Sequence, residues 1–249
     1  MGTPAWLQAV GLSAVMGATF VLGIWLARRW PRVGGPPESR LNDAILAILG
    51  LLLAFTFSMA VEQHNLRRDR LVDDSNAIGD FYTCASLLDE PERGQLQGVV
   101  RRYLERRLAI ARAHPDNAAL TRELKGVSTM HREMEALVHE AVIRRTPVTI
   151  PLVNTLNALT SNHAARLAAI RHRLPTSIVA LLALASIFST LLIGMQQGAG
   201  GERHLVATVA FIVLVGMVVW VTLDLNQPGR GAITVSQEPL ERLLSAMAK

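Results

Sequence analysis

Cysteine, lysine and aromatic side chains are all scarce in this chain, and each scarcity excludes something. Of 249 residues only Cys84 is a cysteine, so an internal disulfide is impossible. A lone thiol in an apolar run is expected to act as a small packing residue. Aromatics make up 5% of the residues although half are apolar, a balance that suits lipid-facing Leu, Val and Ala better than a water-soluble core. Only Lys125 and Lys249 are lysines; the other basic residues are arginines. The isoelectric point near 10.3 does not point to nucleic acid, because the arginines are interleaved with acids rather than massed; membrane phosphates are the expected counterions. Also missing are a glycine-rich phosphate loop, a G-x-S-x-G turn and a Cys/His pair at catalytic spacing, so no enzyme, catalytic residue or cofactor is expected.

What the sequence has is grease in long runs. Four stretches, 5–27, 44–61, 177–195 and 205–225, are apolar enough to cross about 30 Å of hydrocarbon, which takes roughly 20 helical residues. None has a charge in its middle, and none shows the polar stripe of a soluble core helix. Trp6 and Trp25 stand near the ends of the first stretch, where indoles favour the interface. No basic n-region or early cleavage site precedes it, so it is expected to be a retained span. The expected organisation is a first transmembrane pair within 1–61, a helical extramembrane body over 62–175, a second pair within 176–225, and a polar tail over 226–249. The fold class is therefore all-α, with four spans and a helical body between the second and third. Breaker-rich "RRWPRVGGPPESRLND" and "QQGAGGER" read as loops.

The body carries apolar residues at helical spacing throughout. Leu71, Ile78, Tyr82 and Ala85 extend the second span beyond its greasy part, and Leu96, Val100, Tyr103, Leu104 and Leu108 form a second stripe. Val127, Met134 and Val138 belong to a third helix, and Leu152, Leu156, Leu159 and His163 to a fourth. Arginine flanks favour a body on the inside by eight to five. Discounting the body, since segments beyond about 60 residues translocate largely regardless of charge, reverses the count, and the side is left open.

Several polar residues invite a chemical reading. His131, Glu135 and His139 recur every four residues, but the two histidines are two turns apart, too far for one zinc ion; a solvated face is expected, and no metal site. His163, on an apolar stripe, is expected to be a hydrogen-bonded core residue. Asn76, Asn154 and Asn157 cost helix propensity, so a buried polar network is expected there. Small residues run in rows: Ala47, Gly50, Ala54 and Ser58 on span two, Ala183, Ser186, Thr190 and Gly194 on span three. Such rows let helices approach closely in lipid; a row with hydroxyls could equally line a pore.

The segments "GLLLAFTFSMA", "DDSNAIGDFY", "LLDEPERGQL", "RLAAIRHRLP" and "LDLNQPGRGAITVSQEPLERL", in this order, resemble the bestrophin-like membrane family of bacteria, over Leu41 to the C terminus. That resemblance implies, through the bestrophins for which the family is named, a pentameric anion channel with bulky residues at i, i+4 and i+8 of the second span forming a neck. Leu51, Phe55 and Met59 fit that spacing, as do Leu53, Phe57 and Val61. After Asp224 the tail has only Glu238 and Glu241 as acids, so the calcium clasp of animal bestrophins is not expected. Asp224 with Arg230 is the candidate ion pair at the last turn. The resulting expectation is a multi-pass inner-membrane protein whose partners are the lipid bilayer, further copies of itself and small anions, with no nucleic acid. Gly50, Ala54, Ser58, Phe55 and Phe57 are the candidate pore or packing face, and Arg67, Arg68 and Arg70 an anion-attracting mouth. The alternative is a non-conducting scaffold or sensor whose helical body binds a partner.

Overall fold

The computed structural model describes residues 3–30, 39–113, 117–200, 204–227 and 231–248, and the side chains of all of these except 39–41, 117–124 and 200. Every regular element among them is a helix. In chain order these are α1 (Ala5–Arg29), α2 (Ser39–Ala85), α3 (Glu92–Ala113), α4 (Asn117–Ile143), α5 (Thr149–Arg171), α6 (Thr176–Gly200), α7 (Leu205–Leu225) and α8 (Glu238–Ala246). Four helical stretches each contain a run long and apolar enough to cross a membrane: α1, α2 from Asn42, the α5–α6 stretch and α7. With no water in hydrocarbon to satisfy N–H and C=O groups, a closed helical hydrogen-bond ladder is the form such stretches must take. The chain divides into two compact units, Met1–His64 with Arg173–Thr234, and Asn65–His172 with Val235–Lys249.

The first unit is held by a seam of small residues between α1 and α6. A Cβ on Gly23 would strike the Leu191 carbonyl, and one on Gly194 the Phe20 carbonyl, so both positions require glycine. One turn further, Gly198 lies against Ala27 and the Ile24 backbone. Thr19 and Thr190 share a hydrogen bond across the seam, Oγ1 to Oγ1 at 2.9 Å. Ser186 and Thr190 are fully buried, and their hydroxyls donate back to the Leu182 and Ser186 carbonyls of their own helix. The close packing explains why α6 continues to Gly200, through residues whose composition reads as a loop. Likewise 39–43 are helical rather than loop, while the breakers of 31–38 and the GER of 201–203 lie outside the described residues. Beside the seam, Met16, Leu49, Leu182, Val215 and Val219 form a core joining α1, α2, α6 and α7.

The second unit has its own core. Ile78 and Phe81 of α2, Leu96, Val100, Tyr103 and Leu104 of α3, Met134 of α4 and Leu152 and Leu159 of α5 are all almost fully buried. The stretch 226–249 includes a helix, α8, whose Leu240 is fully buried in this core. Glu241 of α8 pairs with Arg112 of α3 at 2.8 Å.

The α1–α6 seam generates a direct test. Gly194→Val forces bulk into a packed backbone contact and is expected to cost about 3 kcal/mol. Gly17→Ala, on the partner helix α1 but with nothing within 4 Å of its added Cβ, is expected to be neutral or to stabilise by up to about 1 kcal/mol through helix propensity. Thermal unfolding of the detergent-solubilised protein compares the two.

Candidate functional site

The two small-residue rows, equivalent in sequence, have different fates. On α6, Ser186, Thr190 and Gly194 are all buried, Thr190 bonded to Thr19 and Gly194 packed on the backbone of α1. On α2, Ala47, Gly50, Ala54 and Ser58 are all exposed, and a Cβ on Gly50 would meet nothing within 4 Å. The structure also separates the two bulky rows. Leu51 and Phe55 are 57% and 61% exposed and Met59 is exposed beside them, whereas Leu53 and Val61 are partly buried against the cores of the first unit. Phe57 stands on a different side of α2 from Phe55 and is exposed as well. Thr56 faces inward, its hydroxyl donating to Leu52 O at 2.8 Å. Outside the span, α2 exposes Glu62, Arg68, Asp69, Asp73, Asn76 and Asp80.

The arginines expected to form a mouth do not act together. Arg67 is buried, its Nε donating to the Ala169 carbonyl at 3.3 Å and its Nη2 to the His172 carbonyl at 2.8 Å. It caps the C-terminal carbonyls of α5, which have no intrahelical partner, and is thus unavailable to solvent ions. Arg70 pairs with Asp73 at 3.4 Å. Arg68 is exposed. Asn76, Asn154 and Asn157, expected as a buried network, are exposed on the chain; their helices turn other residues inward. Asp224 is buried, and both carboxylate oxygens accept backbone N–H groups, Oδ1 from Ala232 at 3.0 Å and Oδ2 from Ile233 at 2.8 Å. A Cβ at Gly231 would run into that carboxylate. Arg230, its expected partner, lies outside the described residues. Asn226 instead ties down the start of the third span, its Oδ1 accepting the Leu174 N–H at 2.8 Å.

The buried polar cluster lies in the second unit, where four helices contribute. Asp74 of α2 is fully buried and ion-paired with Arg107 of α3; Arg166 of α5 stands 3.8 Å from the same oxygen. Arg107 Nη1 donates to Tyr103 Oη at 3.1 Å and lies over the Tyr103 ring. Tyr103 Oη is 3.1 Å from His163 Nδ1, the hydrogen bond expected for a core histidine. His131 of α4 packs close by, its ring 4.9 Å from that of His163, to which it is tilted, and 5.0 Å from that of Tyr103, which it meets edge-on. The solvated-face reading therefore fails for His131, which is buried, and describes only Glu135 and His139, which are exposed. Burial, and then the charges of Arg107 and His131, push the His163 imidazole down to about 4. Burial and Arg107 lower His131 too, and burial and Arg107 bring Arg166 down to about 10. Asp74 Oδ1, Arg107 Nε and His131 Nε2 are buried without a hydrogen-bond partner among the described residues. Among those residues no three His, Cys, Asp or Glu side chains converge as a metal site. The signal that could have found the cluster was Arg107, a charge flanked by Tyr103, Leu104 and Leu108 on one helix face.

Three substitutions test this geometry. Asp74→Asn leaves Arg107 buried without its counter-charge and is expected to cost about 3 to 5 kcal/mol in chemical denaturation followed by circular dichroism. Arg67→Ala uncaps α5 and is expected to cost about 2 kcal/mol, while its exposed neighbour Arg68→Ala is expected to stay within about 0.5 kcal/mol.

The sequence pattern of the Bestrophin-like domain matches residues 18–240. No curated protein matches the chain. Among solved structures, the fold is similar to a bacterial bestrophin homolog from Klebsiella pneumoniae, crystallised as point-mutated forms. One form superposes with a TM-score of 0.69 at 12% identity, covering 99% of this chain and 99% of that one. A second gives 0.66 at 14% identity, covering 96% and 98%. At such identities the likeness concerns the fold, while the domain match spans nearly the whole sequence: this membrane protein belongs to the bestrophin-like family.

Proposed function

We propose that the chain is one subunit of a homo-oligomeric ion channel, a multi-pass protein of the bacterial inner membrane, with the exposed face of α2 lining the path. The observation that carries this reading is the contrast between the two small-residue rows. In lipid a bare Gly50, Ala54 and Ser58 leave backbone and hydroxyl facing hydrocarbon, where a helix gains nothing. Facing a water path or another copy, the same residues are well placed. Phe55, with Leu51 and Met59 a turn on either side, is the constriction, gating by dewetting. Membership of the family supports small anions as the permeant class and a pentamer as the assembly. The charges of α2 do not reinforce that preference: Arg67 is buried, Arg70 is paired, and Arg68 shares the exposed surface with Glu62, Asp69, Asp73 and Asp80. No enzymatic role is proposed.

A second reading, a non-conducting scaffold or sensor, is favoured by one observation. The body has a core of its own and a surface groove between α2 and α8, lined by Asn76, Gly79, Asp80, Pro239 and Arg242.

Flux from liposomes containing the full-length protein separates the two. Under the channel reading the wild type conducts and Phe55→Ala raises the flux by about tenfold, the equivalent of lowering a barrier by about 1.4 kcal/mol. The reversal potential in a potassium chloride gradient gives the sign of the permeant ion. Absence of flux in both proteins removes the channel reading and leaves the scaffold.

A further inference from the structure

The buried cluster of the second unit is wired in one direction. A guanidinium only donates hydrogen bonds, so Tyr103 Oη accepts from Arg107. The arrangement that also gives the phenolic proton a partner has His163 Nδ1 accepting it, in the tautomer that leaves Nδ1 without a proton of its own. His131 Nε2 is buried and has no acceptor among the described residues, so a proton placed there adds an unpaired donor to the core. Two carboxylates act on the pair, and burial together with Arg107 outweighs them. Asp74, from α2, is committed to Arg107 and stands 3.8 Å from Arg166. Glu135, on α4, acts on His131 more weakly than Arg107 does, and its side chain is exposed. Arg107 from α3 and Arg166 from α5 both bear on His163 with positive charge. The helices packed around the pair thus present it with two arginines, an anion paired with one of them, one solvent-exposed carboxylate and apolar surface.

We propose that the His131–His163 pair makes the body acid-sensitive: a proton taken up by the pair reverses the Tyr103 hydrogen bond, repels Arg107 and Arg166, and loosens α4 and α5 from α3. Three consequences of one protonation act in the same direction. The Nδ1 acceptor is lost, and the Tyr103 hydroxyl proton loses its partner. A charge appears 4.9 Å from a second imidazole. And the cluster, already one positive charge in excess with Asp74 set against Arg107 and Arg166, gains another in a site that hydrates it poorly. The sign follows from linkage. A group held below its unfolded value contributes stability that is present above that value, about 6.5, and drains away as pH falls toward its folded value, about 4 for His163. The switch therefore operates in the mildly acidic range in which histidine devices work.

The test uses full-length protein in lipid nanodiscs, with amide hydrogen exchange followed from about pH 7.5 to about pH 4.5 and corrected for the intrinsic effect of pH. Protection in α4 and α5 is expected to fall on the order of tenfold by about pH 5, while the α1–α6 seam keeps its protection. In the double variant His131→Gln and His163→Gln, which retains polar side chains but cannot charge, that loss is expected to disappear. Unchanged protection in the wild type overturns the proposal, as does an equal loss in the double variant, which assigns the effect to carboxylates. Should the double variant not fold, exchange at the imidazole C2 position of the wild type decides. A His163 midpoint below about pH 5 is expected, and a midpoint at or above about pH 6 overturns the proposal.

Discussion

Hydrocarbon offers no hydrogen bonds, and that single constraint shapes everything in the first unit. It forces each span to be an unbroken helix, and it dictates what the hydroxyls within those helices do. Thr56, Ser186, Thr190 and Thr222 all donate to a carbonyl one turn back on their own helix. With their polarity satisfied locally they become, in effect, small apolar residues that can sit at helix contacts. Association between the helices then rests on how closely backbones approach, since burying apolar surface gains little where the solvent is itself apolar. Gly23, Gly194 and Gly198 supply that approach. The same logic makes an uncovered row of small residues on α2 a feature that calls for a use.

The second unit solves the opposite problem. Surrounded by ordinary polar residues, it buries apolar stripes in the usual way, yet it also buries Asp74 and Arg107. An apolar pair of the same volume would often be at least as stable. What the ion pair fixes is orientation: it joins α2 to α3, and through Tyr103 and His163 it reaches α5. A shift of any of these helices along its axis breaks a charged contact rather than sliding over grease.

How far the sequence revealed this depends on the range of the interaction. Spans and helices are local properties of composition and period, and the four greasy stretches and the stripes through Ile78, Tyr103 and Leu159 could be read directly. Which side of a helix is covered depends on a partner far along the chain. Hence the rows on α2 and α6 looked alike, although α1 covers one and leaves the other open. Asn76 was two positions from Asp74, the residue that is buried. His131 shares its four-residue spacing with the exposed Glu135 and His139, but also lies on the stripe of Val127, Met134 and Val138; the second period was the one that mattered. Arg67, amid the charged run "RRDR", gave no local sign that α5 would end with bare carbonyls beside it. The face of α2 as a path for ions rests on exposure and family together, and neither is a local property.

The depth of the α1–α6 contact has a consequence for the first helix as a sequence. On its outer side Trp6, Val10, Val21 and Leu22 meet only surroundings, where one greasy side chain serves as well as another. On its inner side Gly23 sits where even one added methyl collides with main chain. Divergence in this helix is therefore steered by geometry: its letters can change almost everywhere while the spacing of its few narrow positions cannot, and a homologue with no familiar words in its first thirty residues would still be built to the same gauge.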